Sequence, residues 1–159
     1  MEESLKIKGQ INLCLMILFV KIDPLAVKKT LQKEINIDDQ KVSDIIKRLD
    51  KLEEQEYFLK SCCSLGTMAK KVKTNATYLS WVIRTYKEKS FNVYINRLRI
   101  EYVLKRLKKD KKFRFFSIES ISLEIGYKSN TSFVKHFKAK TGLNPSYYIK
   151  DIQELEIVT

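Results

Sequence analysis

The chain has 159 residues, 44% of them hydrophobic, with only four glycines and two prolines. That composition favours helices around a sizeable core and excludes a disordered chain or an all-β fold. The formal net charge is +12, yet acids and bases balance over residues 1–60, so the whole excess falls in residues 61–159. Such a C-terminal part expects a polyanion, nucleic acid ahead of an anionic membrane surface; a solvated basic face is the plainer reading. Three cysteines (Cys14, Cys62 and Cys63) and a single histidine, His136, offer no disulfide framework, metal-ligand spacing or nucleophile–base pair. The expectation is therefore free thiols in a reducing cytoplasm, no cofactor, no metal and no catalytic residue.

Residues 11–20, INLCLMILFV, are the membrane-like stretch. They are too short to cross a bilayer, which takes about 20 apolar residues. Lys21, Ile22, Asp23 and Pro24 follow where a signal peptide would place small residues. A buried helix or strand is expected there, a remnant of a longer membrane segment being the alternative. Pro24 ends it, and a short helix is expected over 25–33. Asp38 and Asp39 then signal a long helix reaching about Lys60, with Val42, Ile45, Leu49 and Leu52 on one face. The apolar register fails at Glu56, which favours packing within the domain over a coiled coil.

Leu65, Met68, Ala69 and Val72 mark one face of a short helix. KTNAT interrupts it, because Asn and Thr compete for backbone hydrogen bonds and favour caps. A second helix follows with Leu79, Val82, Ile83 and Tyr86 inward. A long helix is predicted over 91–108, with Ile95, Leu98, Tyr102 and Leu107 on its apolar side and a length of about 27 Å. The basic run KRLKKDKKFR closes it and reads as a charged loop.

The pattern then returns. Ser117, Ile118, Ile121, Ser122 and Ile125 echo Ser64, Leu65, Met68, Ala69 and Val72, and after a turn one residue longer Phe133 and Phe137 echo Leu79 and Ile83. Two short helices around a tight turn, repeated, predict two helix-turn-helix units. In the second, Gly126 permits the sharp turn, Tyr127 fills the corner, and Ser129 or Asn130 caps the following helix. That helix buries Phe133 and Phe137 and carries Lys135, His136, Lys138 and Lys140 with no acid. An acid-free surface is what a helix entering a DNA groove needs. Asn130, Thr131, Ser132, Lys135 and His136 are the candidate base contacts, since Asn can pair with adenine and Lys can donate to guanine.

The stretch ISLEIGYKSNTSFVKHFKAKTGLNPSYYIK resembles the signature of the AraC/XylS family of bacterial transcription regulators. Its marks are the glycine–aromatic turn, Phe133 and Phe137 followed by Lys138, Thr141-Gly142, and Pro145-Ser146 before an aromatic. YLSWVIRTYKEKSFNVYINRLRIEYVLKRL is similar to the region from the first recognition helix into the linker helix. The resemblance covers about 42–151. It implies an all-α domain over 38–152 with a first helix-turn-helix at about 64–87, a linker helix at about 91–108 and a second helix-turn-helix at about 117–140. An N-terminal helical extension (1–37) would precede it and a tail (153–159) follow. It implies a sequence-specific, double-stranded-DNA-binding regulator, an activator with repressor as the open alternative, with a recognition helix in each of two successive major grooves and RNA polymerase as a candidate further partner. By position, Thr77, Ser80, Trp81 and Arg84 would face DNA from the first unit, and Asn130, Thr131, Lys135 and Lys138 from the second. Trp81 would either touch thymine methyls or sugars, or cover the linker helix. Lys70, Lys87, Arg97 and Lys138 are the phosphate candidates. Two departures, Lys73 in the place of Gly126 and Glu88 where the family often has glycine, put the detail of the first turn in doubt. Residues 1–37 are too short for the sensing domain usual in the family, so the chain reads as part of a larger sensor or as a regulator set by its own abundance. No small-molecule effector site is evident, and the oligomeric state stays open.

Three rival functions follow from the residues. An RNA-binding protein would need exposed stacking aromatics, whereas most aromatics here fall at core spacing. A membrane-surface protein would use residues 11–20 as its anchor. An enzyme would need a reactive constellation that the sequence does not offer.

Overall fold

The computed structural model describes residues 39–157, and these contain helices and turns without a strand. The expectations for residues 11–20 and 25–33 lie outside the described residues. Helix α1 spans Asp39–Glu54 and leads through a 3-10 turn, Tyr57–Leu59, to α2 (Leu65–Lys71) and α3 (Ala76–Tyr86). The long α4 (Phe91–Lys109) and a second 3-10 turn (Lys112–Phe115) lead to α5 (Ile118–Glu124), α6 (Asn130–Thr141) and α7 (Pro145–Ile157).

Two apolar cores sit at opposite ends of α4, which belongs to both. Tyr94 and Ile95 join Ile45, Leu49, Met68, Leu79 and Ile83 in the first. Ile100, Val103 and Leu107 join Phe113, Ile121, Ile125, Phe133 and Phe137 in the second. A single uninterrupted helix, about 28 Å long at 1.5 Å per residue, thus carries one helix-turn-helix unit at each end. Arg48 of α1 donates to the Val72 carbonyl at 3.1 Å and so satisfies the end of α2.

Several expectations are corrected. The first long helix stops at Glu54, because Glu56 takes a left-handed conformation (φ 54°) and turns Tyr57 and Phe58 into the core. Tyr86, expected inward, is 44% exposed. On α4 the fully buried positions are Tyr94, Ile100, Val103 and Leu107, whereas Leu98 and Tyr102 are only partly buried. The basic run is no plain loop: α4 continues through Lys109, and Phe113 and Arg114 are buried. Arg114 folds back on α4, donating from Nε to Leu107 O at 2.5 Å and from Nη2 to Lys108 O at 3.1 Å. A guanidinium there satisfies orphan carbonyls and complements the negative helix end. Helix α7 runs through Ile157 where a tail was expected from residue 153.

Candidate nucleic-acid interface

The two units share their local construction. Ser64 accepts from Thr67 N at 3.2 Å and Ser117 from Ser120 N at 3.0 Å, so α2 and α5 start on equivalent serine caps. Both helices end in a Schellman motif. Thr74 N donates to Ala69 O at 2.9 Å and Lys73 N to Lys70 O at 3.2 Å; Tyr127 N donates to Ser122 O and Gly126 N to Leu123 O, each at 3.0 Å. The motif needs a left-handed residue, supplied by Lys73 (φ 61°) in one unit and Gly126 (φ 81°) in the other. The first turn thus keeps the geometry of the second without its glycine. Glu88 (φ 54°) and Gly142 (φ 80°) stand in the same relation after α3 and α6.

Asn75 and Ser129 cap the recognition helices, accepting from Tyr78 N at 2.7 Å and Ser132 N at 3.3 Å. Leu79 and Ile83 pin α3, and Phe133 and Phe137 pin α6; all four are fully buried. At 100° per residue the opposite row on α3 is Thr77, Trp81 and Arg84, and on α6 it is Thr131, Lys135 and Lys138. Each member of one row lies 54 positions from its counterpart in the other. Thr77, Arg84, Thr131, Lys135 and Lys138 are exposed, and neither helix contains an acid. Trp81 is half-buried, its ring 5.6 Å from that of Tyr78 and 6.2 Å from that of Tyr86. Ser80 flanks the α3 row. Asn130 and Ser132 are exposed in the first turn of α6.

Two candidates stand elsewhere than expected. His136 is half-buried, its ring 6.0 Å from Tyr127 and turned toward α4, and burial together with the Lys135 charge lowers its pKa. Lys87 is no free cation. It pairs with Asp50 at 2.8 Å and Glu53 at 3.2 Å, and Tyr94 donates its hydroxyl to the same Glu53. Burial opposes the Lys87 charge, but these carboxylates outweigh it and raise its pKa. Of the other phosphate candidates, Lys70 and Lys138 are exposed, and Arg97 is half-buried with Glu101 at 3.9 Å.

The sequence reading missed the junction between the units. Arg99 of α4, only 7% exposed, donates from Nε to Phe58 O at 2.7 Å and from Nη2 to Lys60 O at 3.1 Å. Its guanidinium lies 5.1 Å from the centre of the Tyr127 ring. Arg106 pairs with Glu124 of α5 and stands 4.0 Å from the Phe113 ring centre. The available signal was an arginine four residues after Ile95 and four before Val103, on the core-facing side of α4. Among the described residues no group of His, Cys, Asp and Glu could hold a metal, and no helix is long and apolar enough to cross a membrane.

Two capped helix-turn-helix units on one continuous helix, each with an acid-free second helix, define a DNA-binding domain of the double helix-turn-helix class. Residues 68–151 match the family model described as a helix-turn-helix domain. The chain belongs to the AraC/XylS family of DNA-binding transcription regulators, which are not enzymes. It is 30% identical over 90 residues to the raffinose operon transcriptional regulatory protein RafR of Pediococcus pentosaceus, a match spanning 57% of this chain and 31% of RafR. In fold it is similar to the C-terminal domain of AraT, a response regulator from Geobacillus stearothermophilus (TM-score 0.57, 21% identity, 68% of this chain and 84% of that one). It is also similar to the DNA-binding domain of the global transcriptional factor AdpA, solved with a target DNA (TM-score 0.59, 13% identity, 69% and 93% covered).

Proposed function

We propose that the chain is a sequence-specific regulator that places α3 and α6 in two successive major grooves of one DNA duplex. The observation carrying this reading is the pair of matching rows on α3 and α6: exposed or half-exposed, free of acid, and held outward by two fully buried residues four apart. In this reading Thr77, Ser80, Trp81 and Arg84 face the first half-site, and Asn130, Thr131, Ser132 and Lys135 the second. Lys70 and Lys138 neutralise phosphates, which positions the protein without specifying sequence. The rows agree at Thr77/Thr131 and in charge at Arg84/Lys138 but differ at Trp81/Lys135. One chain therefore reads an asymmetric site of two related, unequal halves about one helical turn apart. RNA polymerase is the partner through which such a bound regulator would act as an activator.

Selection of bound duplexes from random DNA tests the proposal. It expects a two-part asymmetric motif bound by a single chain. A perfect palindrome bound only by a dimer, or no enrichment at all, would overturn it.

A further inference from the structure

Trp81 lies two residues after Leu79 and two before Ile83, about 200° around α3 from each. It therefore leaves the helix away from that buried pair, yet it is only half-exposed. Two tyrosines of the same helix contribute the cover. The Tyr78 ring lies 5.6 Å away, tilted by 38°, and the Tyr86 ring 6.2 Å away, edge-on at 83°. Lys41 of α1 stands 5.6 Å from the centre of the Tyr78 ring, and Tyr86 is 44% exposed. Helix α3 thus carries a surface aromatic cluster around Trp81. Helix α6 has no counterpart: the positions 54 residues on are Ser132, Lys135 and Lys140, all polar and exposed.

The major groove offers one apolar group, the C5 methyl of thymine; its other readable groups are hydrogen-bond donors and acceptors. A lysine has only donors and suits the O6 and N7 acceptors of guanine. An indole has a single donor and a broad apolar face, so it suits the methyl. Rings already packed on one another give up little rotamer freedom when they meet a partner. We propose that the two recognition helices read different chemical groups at this position: Trp81, braced by Tyr78 and Tyr86, contacts thymine methyl groups in the first half-site, where Lys135 meets guanine acceptors in the second. Trp81 is then the specificity-determining residue, and Tyr86 a positioning residue that acts through it. The inference rests on the groove placement of α3 and α6 proposed above and names what that placement reads.

The test uses the full chain and the asymmetric duplex enriched by the selection. Each thymine is replaced in turn by deoxyuridine, which removes the methyl and leaves every hydrogen-bonding group in place. One or two such changes in the first half-site should each weaken the parent about four-fold, the share of one buried methyl. At those positions the loss should disappear in Trp81→Ala and in Trp81→Lys, and Trp81→Lys should shift the preferred base there toward guanine. Tyr86→Phe keeps the ring and should keep the four-fold loss, whereas Tyr86→Ala should reduce it to about two-fold. Each readout is a ratio of two affinities of one variant, so a general loss of stability does not move it. A first half-site without thymine, uracil that weakens nothing there, or losses that persist unchanged in both Trp81 variants would overturn this inference and leave the groove placement standing. A ratio untouched by Tyr86→Ala would remove the positioning role. A selection that enriches no duplex would overturn both readings together.

Discussion

A Cβ built on Gly126 would stand 2.3 Å from the carbonyl oxygen of Leu59. The turn of the second helix-turn-helix thus lies directly against the 3-10 turn that precedes the first. Gly126→Ala combines that clash with a strained φ of 81° and should destabilise by about 3 kcal/mol or more. Gly142 has a similar φ but open space around it, so Gly142→Ala should cost only about 1 kcal/mol. Lys73→Gly and Glu88→Gly remove left-handed strain at the corresponding points of the first unit, and each should stabilise by about 0.5 kcal/mol. Denaturant midpoints of the four variants check the order.

Arg99 offers a second test. Replacement by lysine keeps the charge but cannot reach the Phe58 and Lys60 carbonyls with one fork. Arg99→Lys should lower stability by about 2 kcal/mol. It should also weaken binding to a two-half-site duplex more than to a duplex containing either half alone. Equal losses on all three duplexes would show that Arg99 does not hold the two units in register.

Lys135 points away from Phe133 and Phe137, about 200° from each along the helix. Lys135→Ala should change the preferred sequence, losing about 1–3 kcal/mol of discrimination at one base pair. Lys138→Ala should instead weaken matched and scrambled sites alike. Lys87→Ala should lower stability by about 0.5–1 kcal/mol with little effect on DNA affinity, since Lys87 is tied to Asp50 and Glu53. Competition assays at one salt concentration separate the three.

Affinity for duplex DNA should fall steeply with salt, the logarithmic slope growing by roughly 0.9 for each phosphate neutralised. Lys70→Ala should reduce the slope by about one such step. A binding constant indifferent to salt would contradict the DNA reading.

His136 gives a pH test, being the single histidine of the sequence. Its folded pKa is depressed below the ordinary value of 6.5 by burial and by Lys135. The stability it contributes is complete above the unfolded pKa and is lost as pH falls through the lower folded value. His136→Gln should therefore flatten the stability profile between about pH 7 and pH 5.

Much of the architecture was legible because the apolar spacing of the two units repeats. Leu79 with Ile83 and Phe133 with Phe137 fixed the buried side of each recognition helix, and the structure keeps that assignment. The end of α1 was illegible because Tyr57 and Phe58 continue a tolerable helical pattern; what stops the helix is their capture by the core, a tertiary effect. Phe113 was hidden among lysines, where local charge outweighs one aromatic in any window reading. The ion pairs of Lys87 were illegible because its partners, Asp50 and Glu53, lie far away in sequence and only the fold brings them near. The Lys73 turn shows the reverse: a non-glycine residue accepts a left-handed conformation when the Schellman hydrogen bonds around it are complete.

Arg48, Arg99 and Arg114 all direct their guanidinium groups to main-chain carbonyls: those of Val72, of Phe58 and Lys60, and of Leu107 and Lys108. A carbonyl is present whatever the side chain, so the receiving half of each fastening is immune to point mutation short of backbone rearrangement. Mutational tolerance is therefore lopsided. Three codons carry the sensitivity, while Lys60 and Lys108, whose side chains are exposed, can drift freely. In a saturation-mutagenesis map the three arginines should stand out as intolerant positions, while the residues supplying the carbonyls tolerate a wider range of side chains where those side chains are exposed.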